Sequence, residues 1–246
     1  MRILGIKCSP MTVIVYAFIP DSGFMLAADG RRRDGITKEI VSDCAQKIYS
    51  ATHADCALAF AWCSSTVLGT PLGSFDFAKQ TIAFLRDKAE IRYDSWCEFV
   101  GGLVTGLYGS LILCAGGTQI YPIGSQNEQV IAGVILLGYF HGHACQAVVK
   151  FWHENGTLRK PLIQELRVLE DKPYFDERRP EIGSLTAESF FKEKVTACPD
   201  TLPDAIKTAE MYIKACAEKS PDYGGRTHIA TQTKEGFEWK ISPLKC

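Results

Sequence analysis

The chain lacks most of the short motifs by which a sequence declares its chemistry. It has no phosphate-cradling P-loop, no G-x-G-x-x-G and no G-x-S-x-G nucleophile elbow. Dinucleotide binding and α/β-hydrolase chemistry therefore have no motif to rest on. It has ten cysteines but no C-x-x-C pair, which removes the usual zinc-ribbon and thioredoxin-type readings. It also lacks an excess of either charge. Lys and Arg number 27 against 28 Asp and Glu, for a formal net charge of −1, so no global field recruits nucleic acid or an anionic membrane. No apolar run reads as long enough to cross a bilayer; Val130 to Phe140 is too short and is followed by polar residues. Residues 1–10 carry charge but too short an apolar core for a secretory signal. Internal repeats and low-complexity segments are lacking too.

What remains is an ordinary globular composition, 46% hydrophobic and 22% charged over 246 residues, enough for one large domain or two small ones. The cysteines are scattered and mostly lie inside apolar runs, such as Cys56, Cys63, Cys114 and Cys216. Free buried thiols in a reducing cytoplasm are the economical expectation.

The informative stretch is Met11 to Phe18, continued by Gly23 to Arg31. Two apolar runs flank Ile19-Pro20-Asp21-Ser22-Gly23, which predicts a β-hairpin. Thr12 opens the first strand and Asp29 ends the second. Lys47 then opens a further strand, so a hydroxyl, a carboxylate and an amine are placed to converge at one sheet end. Lys47 to Tyr49 and Cys56 to Cys63 predict a strand pair around the loop 50–55.

A helix is expected from about Ser74 as N-cap, with Phe75, Ala78, Ile82, Leu85 and Ala89 on one face. Asp94-Ser95 can cap a second helix with a stripe of Trp96, Phe99, Val100, Leu103, Val104 and Leu107. Its glycines, Gly101, Gly102, Gly106 and Gly109, suit close packing on a sheet. Val130 to Phe140 reads as a strand buried on both faces. After the turn at His141-Gly142-His143 comes a strand from Ala144 to His153, closed by the hairpin turn at Asn155-Gly156. Residues 160–180 read as an elaborated loop or edge. Helices are expected over 185–196 and over 202–219, with Pro203 in the first turn of the latter. Gly224-Gly225, a strand through His228, a turn at Lys234-Glu235-Gly236 and a strand from Phe237 to Ser242 close the chain. Strands and helices come in blocks, which points to two sheets with helices outside them rather than βαβ units.

The hairpin with Thr12, Asp29 and Lys47 resembles the start of proteasome β-subunits, members of the N-terminal nucleophile (Ntn) hydrolases. The resemblance extends over the element order from Thr12 to Ser242. It implies an α+β fold, the four-layer αββα sandwich, with residues 1–11 as a leader and 12–246 as a single domain. It implies that Thr12 becomes the first residue, its hydroxyl the nucleophile and its freed amine the base. A threonine hydroxyl needs such a base, and an α-amine with a pKa of roughly 7.7–8.0 is largely available near neutrality. Asp29 would orient Lys47, whose charge lowers the proton affinity of the amine.

The resemblance further places Arg31 as a structural arginine and the backbone N–H of Trp62 as oxyanion donor. Ser184, after Gly183, matches a supporting serine. Asp222 is a stand-in for a displaced aspartate, and Tyr223 stands where the family has a serine. A tryptophan at position 62 is expected to narrow the substrate groove. Met11 before a small residue is the context in which an initiator methionine is trimmed, which is a second route to exposing Thr12.

Two weaker signals are the alternating His141, His143 and Cys145, a metal-like spacing outweighed by a turn reading, and Ser189 to Lys192, an S-x-x-K inside a helical pattern. The implied function is cleavage of peptide or other amide bonds in the cytoplasm by a homo-oligomeric ring, without cofactor, metal, nucleic acid or membrane. The alternatives are a non-catalytic proteasome-like structural subunit and a small-molecule amidase of the same fold.

Overall fold

The computed structural model describes residues 12–33, 37, 39–64, 67–70, 72–120, 128–169, 172–178 and 193–243. The segment 1–11, Ser184, the S-x-x-K at 189–192 and most of the helix expected over 185–196 lie outside the described residues.

Among these residues the strands are β1 (Ile14–Ile19), β2 (Gly23–Ala28), β3 (Arg32–Arg33), β4 (Ile40–Ser42), β5 (Ile48–His53), β6 (Cys56–Ser64), β7 (Val67–Thr70) and β8 (Gly73–Asp76). Two helices follow, α1 (Phe77–Asp87) and α2 (Trp96–Ala115). Then come β9 (Glu128–Phe140), β10 (His143–Glu154), β11 (Thr157–Leu158), β12 (Leu162–Val168) and β13 (Tyr174–Arg178). Helix α3 (Leu202–Lys219) precedes β14 (His228–Gln232) and β15 (Phe237–Ile241). The first large sheet has the order β13-β1-β2-β14-β15; the second runs β11-β10-β9-β6-β5, with β12 also on β10. All pairings in both are antiparallel.

The period-2 alternation of each strand sorts its side chains between two faces. Val13, Val15 and Ala17 of the first sheet pack with Ala209, Tyr212 and Ile213 of α3. Ile14, Tyr16 and Phe18 point the other way, onto Ala59, Ala61 and Leu137 of the second sheet. The opposite face of that sheet, with Leu58, Phe60 and Trp62, is covered by Phe77 of α1 and by Phe99 and Leu103 of α2. Both central strands β1 and β2 are buried along their whole length, which explains why they read as continuous apolar runs. A polar link crosses between the sheets where buried Gln146 donates Nε2–H to the Tyr16 hydroxyl at 3.0 Å.

Several sequence expectations shift. The first turn is as expected, with Asp21 and Gly23 at positive φ (60° and 112°). The β5–β6 turn is the two residues Ala54-Asp55, because β5 continues through His53. Helix α1 is capped by Asp76, whose carboxylate accepts the Lys79 N–H, and not by Ser74, which lies in β8. Ile82 is correspondingly turned outward, 38% exposed. Helix α2 is capped by Ser95 and buries its whole expected stripe. None of its glycines packs on the sheet: a Cβ on Gly106 would meet the Phe84 ring of α1 at 2.2 Å and one on Gly102 the Tyr93 ring at 3.1 Å, while Gly101 and Gly109 border open space. Residues 160–180 supply two edge strands, β12 and β13.

Helix α2 also corrects the reading of apolar runs. At 20 residues it is long and apolar enough to cross a membrane, although Trp96, Phe99, Leu103, Leu107 and Leu111 are buried against the fold. Among the described cysteines, Cys56, Cys63, Cys145 and Cys216 are buried and outside any disulfide, whereas Cys97 and Cys198 are exposed thiols. Cys44 is disulfide-bonded, against the expectation of free thiols throughout.

Two glycines give opposite tests of this packing. A Cβ at Gly138 in β9 would stand 2.1 Å from the Ala57 carbonyl oxygen, whereas one at Gly101 in α2 meets nothing within 4 Å. Gly138→Ala is expected to cost about 1–3 kcal/mol or more through overpacking. Gly101→Ala is expected to gain about 0.5–1 kcal/mol from helix propensity and reduced unfolded-state entropy. Urea unfolding of the two variants checks both signs.

Candidate active site

The chain leaves β2 at Asp29, and the local backbone there is drawn tight. A Cβ at Gly30 would stand 2.6 Å from both the Arg226 and Asp43 carbonyl oxygens, so only glycine allows the three segments to meet. Backbone bonds tie them together: Ala45 N–H to Gly30 O at 2.8 Å and Arg31 N–H to Gly224 O at 2.8 Å.

This junction gives Asp29 its surroundings. Its side chain is wholly buried, as is that of Lys47 but for 6%. Oδ1 accepts the Lys47 ammonium at 2.7 Å and the Val13 N–H at 2.9 Å; Oδ2 accepts the Gly224 N–H at 3.2 Å. Burial raises the Asp29 carboxyl above its ordinary value, and the Lys47 charge and these donors pull it back. Lys47 enters from the start of β5 in the second sheet, so the pair joins the two sheets at one end. Thr12 is the residue before Val13 and is itself 5% exposed. The hydroxyl-bearing residue, the carboxylate and the amine are thus assembled within one residue of a shared oxygen.

Arg31 acts on the same junction from outside. Its Nε pairs with Asp43 at 2.7 Å, and one terminal nitrogen donates to the carbonyls of Pro221 and Tyr223 at 2.9 and 3.0 Å. The guanidinium thereby holds the loop that presents Gly224 to Asp29.

Other expected residues sit elsewhere. Asp222 is turned to the surface, half-exposed, facing the Arg33 guanidinium at 3.7 Å; the part of its loop that reaches the site is the Gly224 N–H. The Trp62 backbone N–H donates to the Lys47 carbonyl at 3.1 Å, so the donor expected for an oxyanion is already bonded. Its indole does not narrow a groove. It is wholly buried among Phe77 and Phe151, with ring centroids 4.9 and 5.8 Å away, because even-numbered positions of β6 face the helices. Tyr223 is partly buried against the cluster under α3.

The metal-like trio separates: His141 lies in the β9–β10 turn, its Nε2 on the Tyr93 carbonyl at 3.1 Å, while Cys145 is buried among the residues beneath α1 and α2. No group of three or more metal-ligating side chains is assembled among the described residues.

Three contributors were missed by sequence reasoning. The Val13 and Gly224 amides carry no side-chain signal at all. His228, fully buried in β14, had one: an imidazole opening a strand beside Ile229 and Ala230.

Comparison with solved structures gives the fold a relative. The chain is similar to Anbu from Hyphomicrobium sp. strain MC1, with a TM-score of 0.53 at 11% identity over 93% of this chain and 87% of that one. It is similar to Anbu, an ancestral beta-subunit, from Yersinia bercovieri, with a TM-score of 0.53 at 14% identity over 93% and 86%. It is also similar to the Anbu complex of Pseudomonas aeruginosa, described as a helical assembly, with a TM-score of 0.53 at 13% identity over 94% and 84%. No family model and no curated protein matches the chain. The chain therefore has an α+β fold shared with these Anbu structures, at 11% to 14% identity.

The buried pair makes a direct prediction. Lys47→Met leaves the Asp29 carboxylate buried beside two backbone donors without a counter-charge, which is expected to cost about 3–5 kcal/mol at neutral pH. Adding Asp29→Asn removes the orphaned charge and is expected to recover part of that loss. Without Lys47 the Asp29 carboxyl rises further, so the single variant should regain stability as the pH falls and the carboxyl protonates. Chemical denaturation of both variants as a function of pH reads these signs.

Proposed function

We propose that the chain is a threonine-type N-terminal nucleophile hydrolase of peptide or other amide bonds, with the four-layer αββα arrangement of that class. The observation that carries the reading is the Lys47–Asp29 pair, buried at the sheet end one residue from Thr12 and sharing Asp29 Oδ1 with the Val13 N–H. A buried ion pair is seldom the most stable use of such a position, and a desolvated ammonium held near a candidate nucleophile has a chemical use.

In this mechanism removal of residues 1–11, or initiation at Met11 and its trimming, frees the Thr12 amine. The amine takes the hydroxyl proton, directly or through one water, as Thr12 Oγ1 attacks the carbonyl carbon. The Lys47 charge keeps the amine deprotonated and stabilises the developing negative charge. Asp29 holds Lys47, and Arg31 holds the loop that supplies the third donor to Asp29. The amine then returns the proton to the leaving amide nitrogen, and water resolves the acyl-enzyme. A homo-oligomeric assembly in the cytoplasm belongs to the same reading.

A second reading is favoured by specific observations. The Trp62 N–H is committed to the Lys47 carbonyl, and the Asp222 carboxylate faces Arg33 rather than the site. Loss of one oxyanion donor typically costs a factor of about 10²–10³ in kcat. Together these support a structural subunit that keeps the fold and lacks turnover. The small-molecule amidase alternative would use Trp62 to shape a small pocket, and the Trp62 indole lies in the core instead.

Intact mass after incubation with a threonine-directed electrophile separates the readings. A chain beginning at Thr12 that gains one adduct, lost in Thr12→Ala with the fold retained, is the expected outcome. An unlabelled chain that keeps residues 1–11 in a stable assembly supports the structural subunit. Labelling that survives Thr12→Ala overturns the assignment of the nucleophile.

A further inference from the structure

Both ring nitrogens of His228 are buried and have no hydrogen-bond partner, and the residue has no exposed surface. A neutral imidazole carries one donor and one acceptor, and each left unmade in the interior costs about 1–3 kcal/mol. Such a group calls for an explanation beyond packing.

The register shows where the ring points. His228 pairs with Ala28, which pairs on its other side with Ile14. These three form one row across β14, β2 and β1, and Ile14, Ala28 and Ala230 all face the second sheet. His228 therefore faces the same space. Lys47 crosses that space from β5 to reach Asp29, the residue after Ala28. Beside Lys47 on the second sheet, the Cys63 thiol is pushed up to about 12 by burial and is a neutral donor to the Gly133 carbonyl. The charged groups acting on the His228 ring are Lys47 from the opposite sheet and Arg226 from the stretch just before β14. Burial first, then these two cations, pushes the imidazole down to about 4, so it is neutral with a lone pair to offer. The Lys47 ammonium has three N–H donors, and Asp29 Oδ1 takes one of them.

We propose that His228 is a positioning residue for Lys47: its neutral ring is a second acceptor, alternative to Asp29, that keeps the ammonium inside the sheet interface as it shifts toward Thr12. The bearing of this on catalysis rests on the threonine-hydrolase reading; the coupling of Lys47 to His228 does not.

The test uses NMR on the full chain. The His228 ring resonance is assigned by its loss in His228→Gln and followed against pH. It is expected to stay neutral well below the ordinary value of about 6.5, and its midpoint in Lys47→Met is expected to rise by about half a pH unit or more. The exchange of the Lys47 ammonium protons with water is then compared in His228→Leu and His228→Gln, which covers the case in which Lys47→Met does not fold. His228→Leu is expected to speed that exchange several-fold, and His228→Gln, which keeps an acceptor, to slow it again. A His228 midpoint indifferent to Lys47→Met, or Lys47 exchange equal in the Leu and Gln variants, overturns the proposal. Neither readout needs a free or active Thr12, so failure of electrophile labelling at Thr12 is a separate result.

Discussion

One ion pair sets the terms for the end of the molecule where the chemistry is placed. Lys47 and Asp29 come from different sheets and meet at 2.7 Å with almost no exposed surface. Removing both charges from water costs several kcal/mol, and mutual attraction offsets this only when every remaining lone pair finds a donor. Asp29 gains two further donors in backbone amides, Val13 just before β1 and Gly224 in the loop before β14. The carboxylate thus fixes four stretches of chain that are distant in sequence. The surrounding details serve the same end: Gly30 permits three backbones to touch, and Arg31 holds the loop that delivers Gly224.

Around this polar end the packing follows from strand alternation. Residues of one parity on β1 and β2 meet α3, and those of the other parity meet the second sheet. On β6 the same rule sends Trp62 toward the helices and Cys63 toward the first sheet. The Trp62 side chain therefore falls on the core side of the sheet, where the indole packs among phenylalanines. The consequence for chemistry lies in the backbone, since the Trp62 amide closes onto the Lys47 carbonyl.

The polar groups between the sheets form two kinds of site. Gln146 donates to the Tyr16 hydroxyl across the interface, which links the sheets without placing a charge. Near the Asp29 end the inventory changes to a buried cation, a buried carboxylate and an imidazole with no partner. A fold seeking stability alone would fill that space with apolar side chains. The concentration of costly groups at one end, beside Thr12, is the physical content of the functional reading.

Much of this was legible in the residues. Apolar periodicity located β1, β2, β9 and the buried stripe of α2, and turn chemistry located Asp21-Ser22 and Asn155-Gly156. Positions 12, 29 and 47 stood out because a hydroxyl, a carboxylate and an amine sat where apolar strands begin or end. Local propensity misplaced the α1 cap because Ser74 and Asp76 are both good caps, and only pairing with β7 assigns Ser74 to a strand. It also misjudged the glycines of α2, two of which meet Phe84 and Tyr93 while the other two border open space. Asp222 was a plausible site carboxylate until the loop turned it toward Arg33. By itself the sequence determined which segments could be strands or helices and which three side chains were candidates for chemistry, since these depend on spacing and residue type. Tertiary structure alone decided that Lys47 meets Asp29, that the amides of Val13 and Gly224 complete the carboxylate, that the Trp62 amide is already bonded, and that His228 faces the same space. Those are contacts between residues up to 195 apart in sequence, and backbone donors have no side-chain identity from which to be read.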